Sequence, residues 1–226
     1  MTARVVGDSA AARAQAIEVL AAGGIVALPT DTVYGIAVAL STPGGLERLF
    51  AAKRRPPDKG IVLLLDDAAQ AATAGAMTTS ASALADALWP GGLTVIVPQR
   101  ADVPWPSALT GGAQTIGLRV PDHPAPRALA AGVGPLPTTS ANVSGLPEAS
   151  DAAAILDQLG DSVDLVLDGG PAHGGPASTV VDCSGSQPAI IRAGAVSTAR
   201  IAAVLDAAGV EHGLRETDTT AGEASG

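Results

Sequence analysis

Residues 23–40 read GGIVALPTDTVYGIAVAL, two apolar runs around a polar loop. Ile25 to Leu28 is a short apolar run, the signature of a strand buried on both faces. Pro29 to Tyr34 is a polar loop, and Ile36 to Leu40 is a second apolar run. Upstream, Ser9 is placed to cap a helix running to about Ala22, with Ala12, Ala16, Ile17 and Leu20 on one face and Gly23-Gly24 ending it. Downstream, Thr42-Pro43 opens a helix that turns Leu46, Leu49 and Phe50 inward and delivers the chain to Lys53.

The same rhythm continues. Strands are expected at Ile61 to Leu65, Leu93 to Val97, Thr115 to Val120, Leu136 to Thr139 and Leu165 to Leu167. Ser178 to Asp182 and Ala189 to Ile191 read as a paired strand segment. Between them, helices are expected from Ser80 or Ser82 to Trp89, from Pro124 to Ala131, from Ser150 or Asp151 to Leu159, and from Ser197 through Ala208. Asp66-Asp67 reads as a helix start. The fold class is α/β, a mixed sheet with flanking helices in a single domain over residues 1–208, followed by an acidic tail, 209–226, expected to be disordered.

Charge is divided unevenly. The net charge of −9 comes wholly from residues 146–226, where twelve acids face only Arg192, Arg200 and Arg215; residues 1–145 balance ten acids with ten bases. Nucleic-acid binding normally needs a basic face, and the 2% aromatic content offers no stacking platform, so a dedicated RNA-binding module is disfavoured. The lone Cys183 allows no internal disulfide and reads as an ordinary buried residue. With no recognisable leader at Met1-Thr2-Ala3-Arg4 and no run approaching the ~20 apolar residues of a membrane span, the cytoplasm is the expected location and no membrane contact is expected.

The familiar phosphate loops GxxxxGK[ST] and GxGxxG are missing, as are GxSxG, HExxH and CxxC. His123, His173 and His212 lack ligand spacing, and His123 reads as a turn residue or a site residue. What the chain does carry is a set of polar segments directly after apolar strands, where open α/β sheets bind ligands: PTDTVYG (29–35), KRRPPDKG (53–60), TIGLRVPDHP (115–124), TTSANVSG (138–145), STVVD (178–182) and IIRAG (190–194). Lys53 and Lys59 are the chain's two lysines, and with Arg54 and Arg55 they form either a solvated turn or an anion site.

In this order and spacing the segments resemble the YrdC-type L-threonylcarbamoyladenylate synthases, over roughly residues 10 to 205 and in the short, single-domain form. The resemblance implies a twisted α/β sheet with a concave, positively charged face. It implies a reaction of L-threonine, bicarbonate or CO2 and ATP, with Mg²⁺ accompanying the nucleotide, that yields threonylcarbamoyl-AMP and pyrophosphate for modification of adenosine 37 in tRNA. Downstream tRNA threonylcarbamoyl-transfer proteins are the implied partners, with any tRNA contact weak or indirect.

Site roles follow from the same resemblance. Lys53, Arg55, Ser140 and Asn142 form the catalytic set. Arg55, Lys59, Thr115, Asn142, Ser150 and Arg192 are expected at ATP, and Thr32, Arg119, Ser140 and Ser178 at threonine; no residue is expected to ligate a metal. Other readings stay open: Thr32 and Asn142 as turn residues, Ser150 as a helix cap, Arg54 as solvent-exposed. Arg119 sits in an apolar strand pattern and needs an anionic partner from protein or ligand. Leu64 stands where many members have histidine, and PTDT replaces PTET. The alternative function is a nucleotide- or RNA-binding module of the same fold without synthase activity.

Overall fold

The computed structural model describes residues 3–54, 60–172 and 174–214. In chain order its elements are β1 (Arg4–Gly7), α1 (Ala10–Ala21), β2 (Val26–Leu28), β3 (Gly35–Ala37), α2 (Gly45–Lys53), β4 (Val62–Leu64), α3 (Ala68–Ala74), α4 (Thr79–Leu88), β5 (Leu93–Pro98), α5 (Ser107–Thr110) and β6 (Thr115–Arg119). After these come α6 (Pro124–Val133), β7 (Leu136–Ser140), α7 (Ala152–Leu159), β8 (Leu165–Asp168), β9 (Thr179–Asp182), β10 (Ala189–Arg192) and α8 (Thr198–Ala207).

The ten strands make one twisted mixed sheet in the order β1-β8-β2-β3-β7-β4-β6-β5-β9-β10. Residues 23–40 become the antiparallel hairpin β2–β3, with Leu28 opposite Gly35. β7 runs antiparallel beside β3, bringing Ser140 opposite Gly35 at the mouth of the 29–34 loop. The parallel pair β4–β6 sets Leu64 beside Arg119, and β5 pairs with β6 antiparallel and β9 parallel.

Because successive side chains of a strand point to opposite faces, the sheet separates two apolar clusters. On one face α1 and α6 bring Ala16, Leu20 and Leu129 onto Val26, Leu28 and Leu165. On the other, α2, α4, α7 and α8 cover Ile25, Ile36, Leu63, Val95 and Leu118. β5, β6 and β9 give no buried side chain to the first cluster, so that half of the α1/α6 face stays uncovered.

Helix starts follow cap chemistry. Ser9, Asp67, Thr78, Asp151 and Ser197 each accept a hydrogen bond from the backbone N–H three residues on. Two expected starts move: Thr78, not Ser80 or Ser82, caps α4, and α2 begins after Gly44, two residues beyond the expected Thr42-Pro43. Of the two caps expected for α7, Asp151 is the one used. The second apolar run is a strand only over Gly35–Ala37. β1 and α5 were not legible: β1 holds four residues and exists by pairing with β8. Beyond α8, Val210 and Leu214 pack partly buried against the larger cluster, inside the stretch expected as tail; residues 215–226 lie outside the described residues. Among the described residues no helix is long and apolar enough to cross a membrane.

Candidate active site

The uncovered half-face is a cleft of about 410 Å³. Along β6, Ile116 and Leu118 enter the larger core cluster, so Thr115, Gly117 and Arg119 face the cleft. The same alternation presents Thr94 and Ile96 of β5, Val62 and Leu64 of β4, and Thr138 and Ser140 of β7. Register then orders the floor. Arg119 and Leu64 mark one end, the row Val62–Gly117–Ile96 the middle, and Thr115 with Gly60 the other end.

At the first end, Arg119 is 5% exposed and its guanidinium is held on three sides. Nε donates to the Gly91 carbonyl at 3.0 Å, one terminal nitrogen to Thr32 Oγ1 at 3.0 Å, and the other to Asp31 Oδ1 at 2.7 Å. Burial pushes the guanidinium pKa down, the Asp31 charge and hydrogen bond push it back up, and Arg192 adds like-charge repulsion. Asp31 supplies from within the protein the anion that Arg119 required from the sequence. Thr32 is fixed further by Thr30: the two hydroxyls lie 3.1 Å apart, the Thr32 N–H donates to Thr30 Oγ1, and the Thr30 hydroxyl donates to Val33 O.

Beside it, Arg192 reaches from the edge strand β10 and donates twice to the Ser178 carbonyl, at 3.2 and 2.8 Å, and to Ser178 Oγ at 3.1 Å. Ser178 Oγ also meets Thr94 Oγ1 at 2.8 Å. Two arginines and four hydroxyls thus converge on one concave wall, a constellation suited to carboxylate and phosphate oxygens.

Lys53 occupies a different place. Its side chain is buried, and Nζ donates to the Ser140 carbonyl, to Asn142 O at 2.8 Å and to Asn142 Oδ1 at 3.0 Å. Ser140 Oγ donates to the same Asn142 Oδ1 at 2.6 Å, while Asn142 Nδ2 donates to Val143 O and Leu146 O. Lys53 therefore fixes the 140–142 turn; of the three side chains, Ser140 lines the cleft.

The structure brings together Thr32, Thr115, Arg119, Ser140, Ser178 and Arg192 around one cavity. Ser150 is exposed, is not among the cleft-lining residues, and donates to Asp151 Oδ2 at 3.2 Å. Arg55 and Lys59 lie outside the described residues. Arg54 is exposed. His123 caps α6, its Nδ1 accepting from the Ala125 N–H, which is the turn role. Cys183 is buried, and desolvation pushes its thiol up to about 11, so it is no nucleophile at neutral pH. Asp31, Thr94 and the exposed rim residue Glu148 were not singled out beforehand; only the charge demand of Arg119 signalled the first. Among the described residues no three His, Cys, Asp or Glu side chains gather to hold a metal.

The Sua5/YciO/YrdC family model, described as telomere recombination, matches residues 18–194. The chain is 38% identical over 191 residues to the putative threonylcarbamoyl-AMP synthase of Mycobacterium tuberculosis, covering 84% of this chain and 87% of that protein. It is 34% identical over 205 residues to the threonylcarbamoyl-AMP synthase of Bacillus subtilis, covering 90% of this chain but 59% of that longer protein. The crystal structure of Pyrococcus abyssi Sua5 complexed with L-threonine superposes with a TM-score of 0.82 at 28% identity, covering 89% of this chain and 59% of that one. The cleft, the segments that build it and these matches lead to one conclusion: the chain belongs to the Sua5/YciO/YrdC family.

Proposed function

We propose that the chain is a threonylcarbamoyl-AMP synthase acting in the cytoplasm. The observation that carries this reading is the cleft: arginines and hydroxyls from separate segments face one cavity, and the chemistry they suit is made between two substrates. The threonine nitrogen bonds to the carbon of bicarbonate or CO2, with loss of water or of a proton, giving a carbamate. A carbamate oxygen then attacks the α-phosphorus of ATP; the bond to the β-phosphate oxygen breaks and pyrophosphate leaves with the electron pair. No protein nucleophile enters this sequence, so catalysis consists of positioning and of stabilising charge.

In this reading Arg119 takes the threonine carboxylate, with Thr32, Ser178 and Ser140 around the amino acid. Thr115, Asn142, Ser150 and Arg192, with Arg55 and Lys59, meet ATP. Lys53 serves the reaction by holding the Ser140–Asn142 turn. Mg²⁺ arrives with ATP, carried by phosphate oxygens and water. The acyl phosphate product would pass to transfer proteins that modify adenosine 37 of tRNA. The neutral first 145 residues and the acidic remainder favour weak or indirect contact with the tRNA itself.

The test is pyrophosphate release from purified protein with ATP, Mg²⁺ and bicarbonate, with and without L-threonine and with L-serine as control. Threonine-dependent release and a threonylcarbamoyl-AMP mass are expected. ATP binding without any threonine-dependent product would overturn the synthase and leave a binding module.

A further inference from the structure

Gly117 is the middle residue of β6, an interior strand paired on both edges. A glycine there weakens a strand, so its presence asks for a cause. Backbone conformation does not supply one: Gly117 is absent from the positive-φ glycines. Packing does not supply one either. A Cβ built at Gly117 would meet nothing nearer than Thr94 Cγ2 at 3.6 Å and Val62 at 3.9 Å, ordinary contact distances. Gly35, by contrast, would meet Thr138 Cγ2 at 2.7 Å. The space that a side chain at 117 would fill is the cleft itself.

Its place in the cleft is specific. Thr115 and Arg119 flank it on the same face, two residues away on either side and about 13 Å apart along the strand. Across the sheet it stands between Val62 and Ile96, both cleft-lining and both apolar. We propose that Gly117 is the clearance point of the reaction: the junction where the carbamate oxygen meets the α-phosphorus passes directly over its backbone. This rests on the reading that Arg119 holds the threonine carboxylate and that ATP, which also meets Arg192 beside Arg119, extends along β6 to Thr115. A side chain at 117 would lift the two reactants off the floor at the point where they must touch. The flanking Val62 and Ile96 keep water from the acyl phosphate as it forms.

The experiment compares Gly117→Ala and Gly117→Val with Gly7→Ala, a change in the edge strand β1 where a new Cβ meets nothing within 4 Å. Melting temperature, the separate affinities for L-threonine and for ATP with Mg²⁺, and kcat for pyrophosphate release are measured on each. Gly117→Val is expected to melt no lower than the parent and to bind each ligand alone within about threefold, while kcat falls about 100-fold; Gly117→Ala falls about tenfold, and Gly7→Ala keeps full activity. A Gly117→Val enzyme with parental kcat overturns the inference, as does a Gly117→Ala protein that melts lower. Loss of affinity for one ligand alone also overturns it, because position 117 would then belong to that ligand's subsite rather than to the junction. Absence of threonine-dependent release from the unmodified chain instead overturns the reading beneath it.

Discussion

Arg119 and Asp31 stand 88 residues apart in sequence yet form an ion pair at 2.7 Å, with side chains 7% and 16% exposed. Such a pair is worth little against a well-packed apolar alternative, but removing one partner strands the other charge in the protein. Asp31→Ala is therefore expected to lower stability by roughly 3 kcal/mol, read by urea denaturation. It should also free the guanidinium to rotate away from Thr32, raising the threonine KM more than it lowers kcat. Asp31→Glu, which restores the charge, should recover part of both. An Asp31→Ala protein of parental stability and threonine KM would show that Gly91 O and Thr32 suffice to hold Arg119. The sequence made half of this visible: an arginine in an apolar strand had to have an anion, but nothing local said which one.

The helices and strands were the most legible level, because each carries its own short-range pattern. Ser9 and Ser197 cap α1 and α8 where a Ser preceding an apolar-periodic run predicts it. Ser150-Asp151 could not be resolved, since both residue types cap well and they are adjacent. The structure selects Asp151, whose carboxylate is held below the usual range mainly by the Ala154 N–H, and leaves Ser150 exposed. Asp151→Ala should then lower the melting temperature of the protein, and Ser150→Ala should leave it unchanged while raising the ATP requirement of the reaction. Calorimetry of both variants beside ATP titrations separates the roles. A lower melting temperature in Ser150→Ala would make it structural, and an unchanged ATP dependence would remove it from the nucleotide site.

For the molecule as a whole, alkaline stability follows from what the sheet buries. Cys183 is raised from 9.0 to about 11 by desolvation, and Tyr34 is raised from 10.0, again chiefly by desolvation. In both cases the unfolded chain loses its proton first, so between the unfolded and folded values the native state binds more protons. Stability is thus retained below about pH 9 and declines as pH rises toward about 11. Each group contributes at most about 1.4 kcal/mol per pH unit within its own window. Thermal melts from pH 8 to 11 should show this decline, and Cys183→Ala should flatten its first part. A Cys183→Ala curve with the parental slope would place the alkaline loss elsewhere.

By itself the sequence determined the α/β class, most strands and helices, the polar loops that follow the strands, and the resemblance that named residues for threonine and ATP. Those properties rest on alternation, helical period and cap chemistry, all acting over a few residues. Only the tertiary structure decided the strand order, the existence of β1, the partner of Arg119, and the burial of Lys53 beneath the Ser140–Asn142 turn. It also decided that Gly117 lies at the centre of the cleft floor, between strands contributed by residues 62 and 96. Pairings of this kind join residues tens of positions apart. Packing across the whole sheet selects them, and no local window of the chain records that selection.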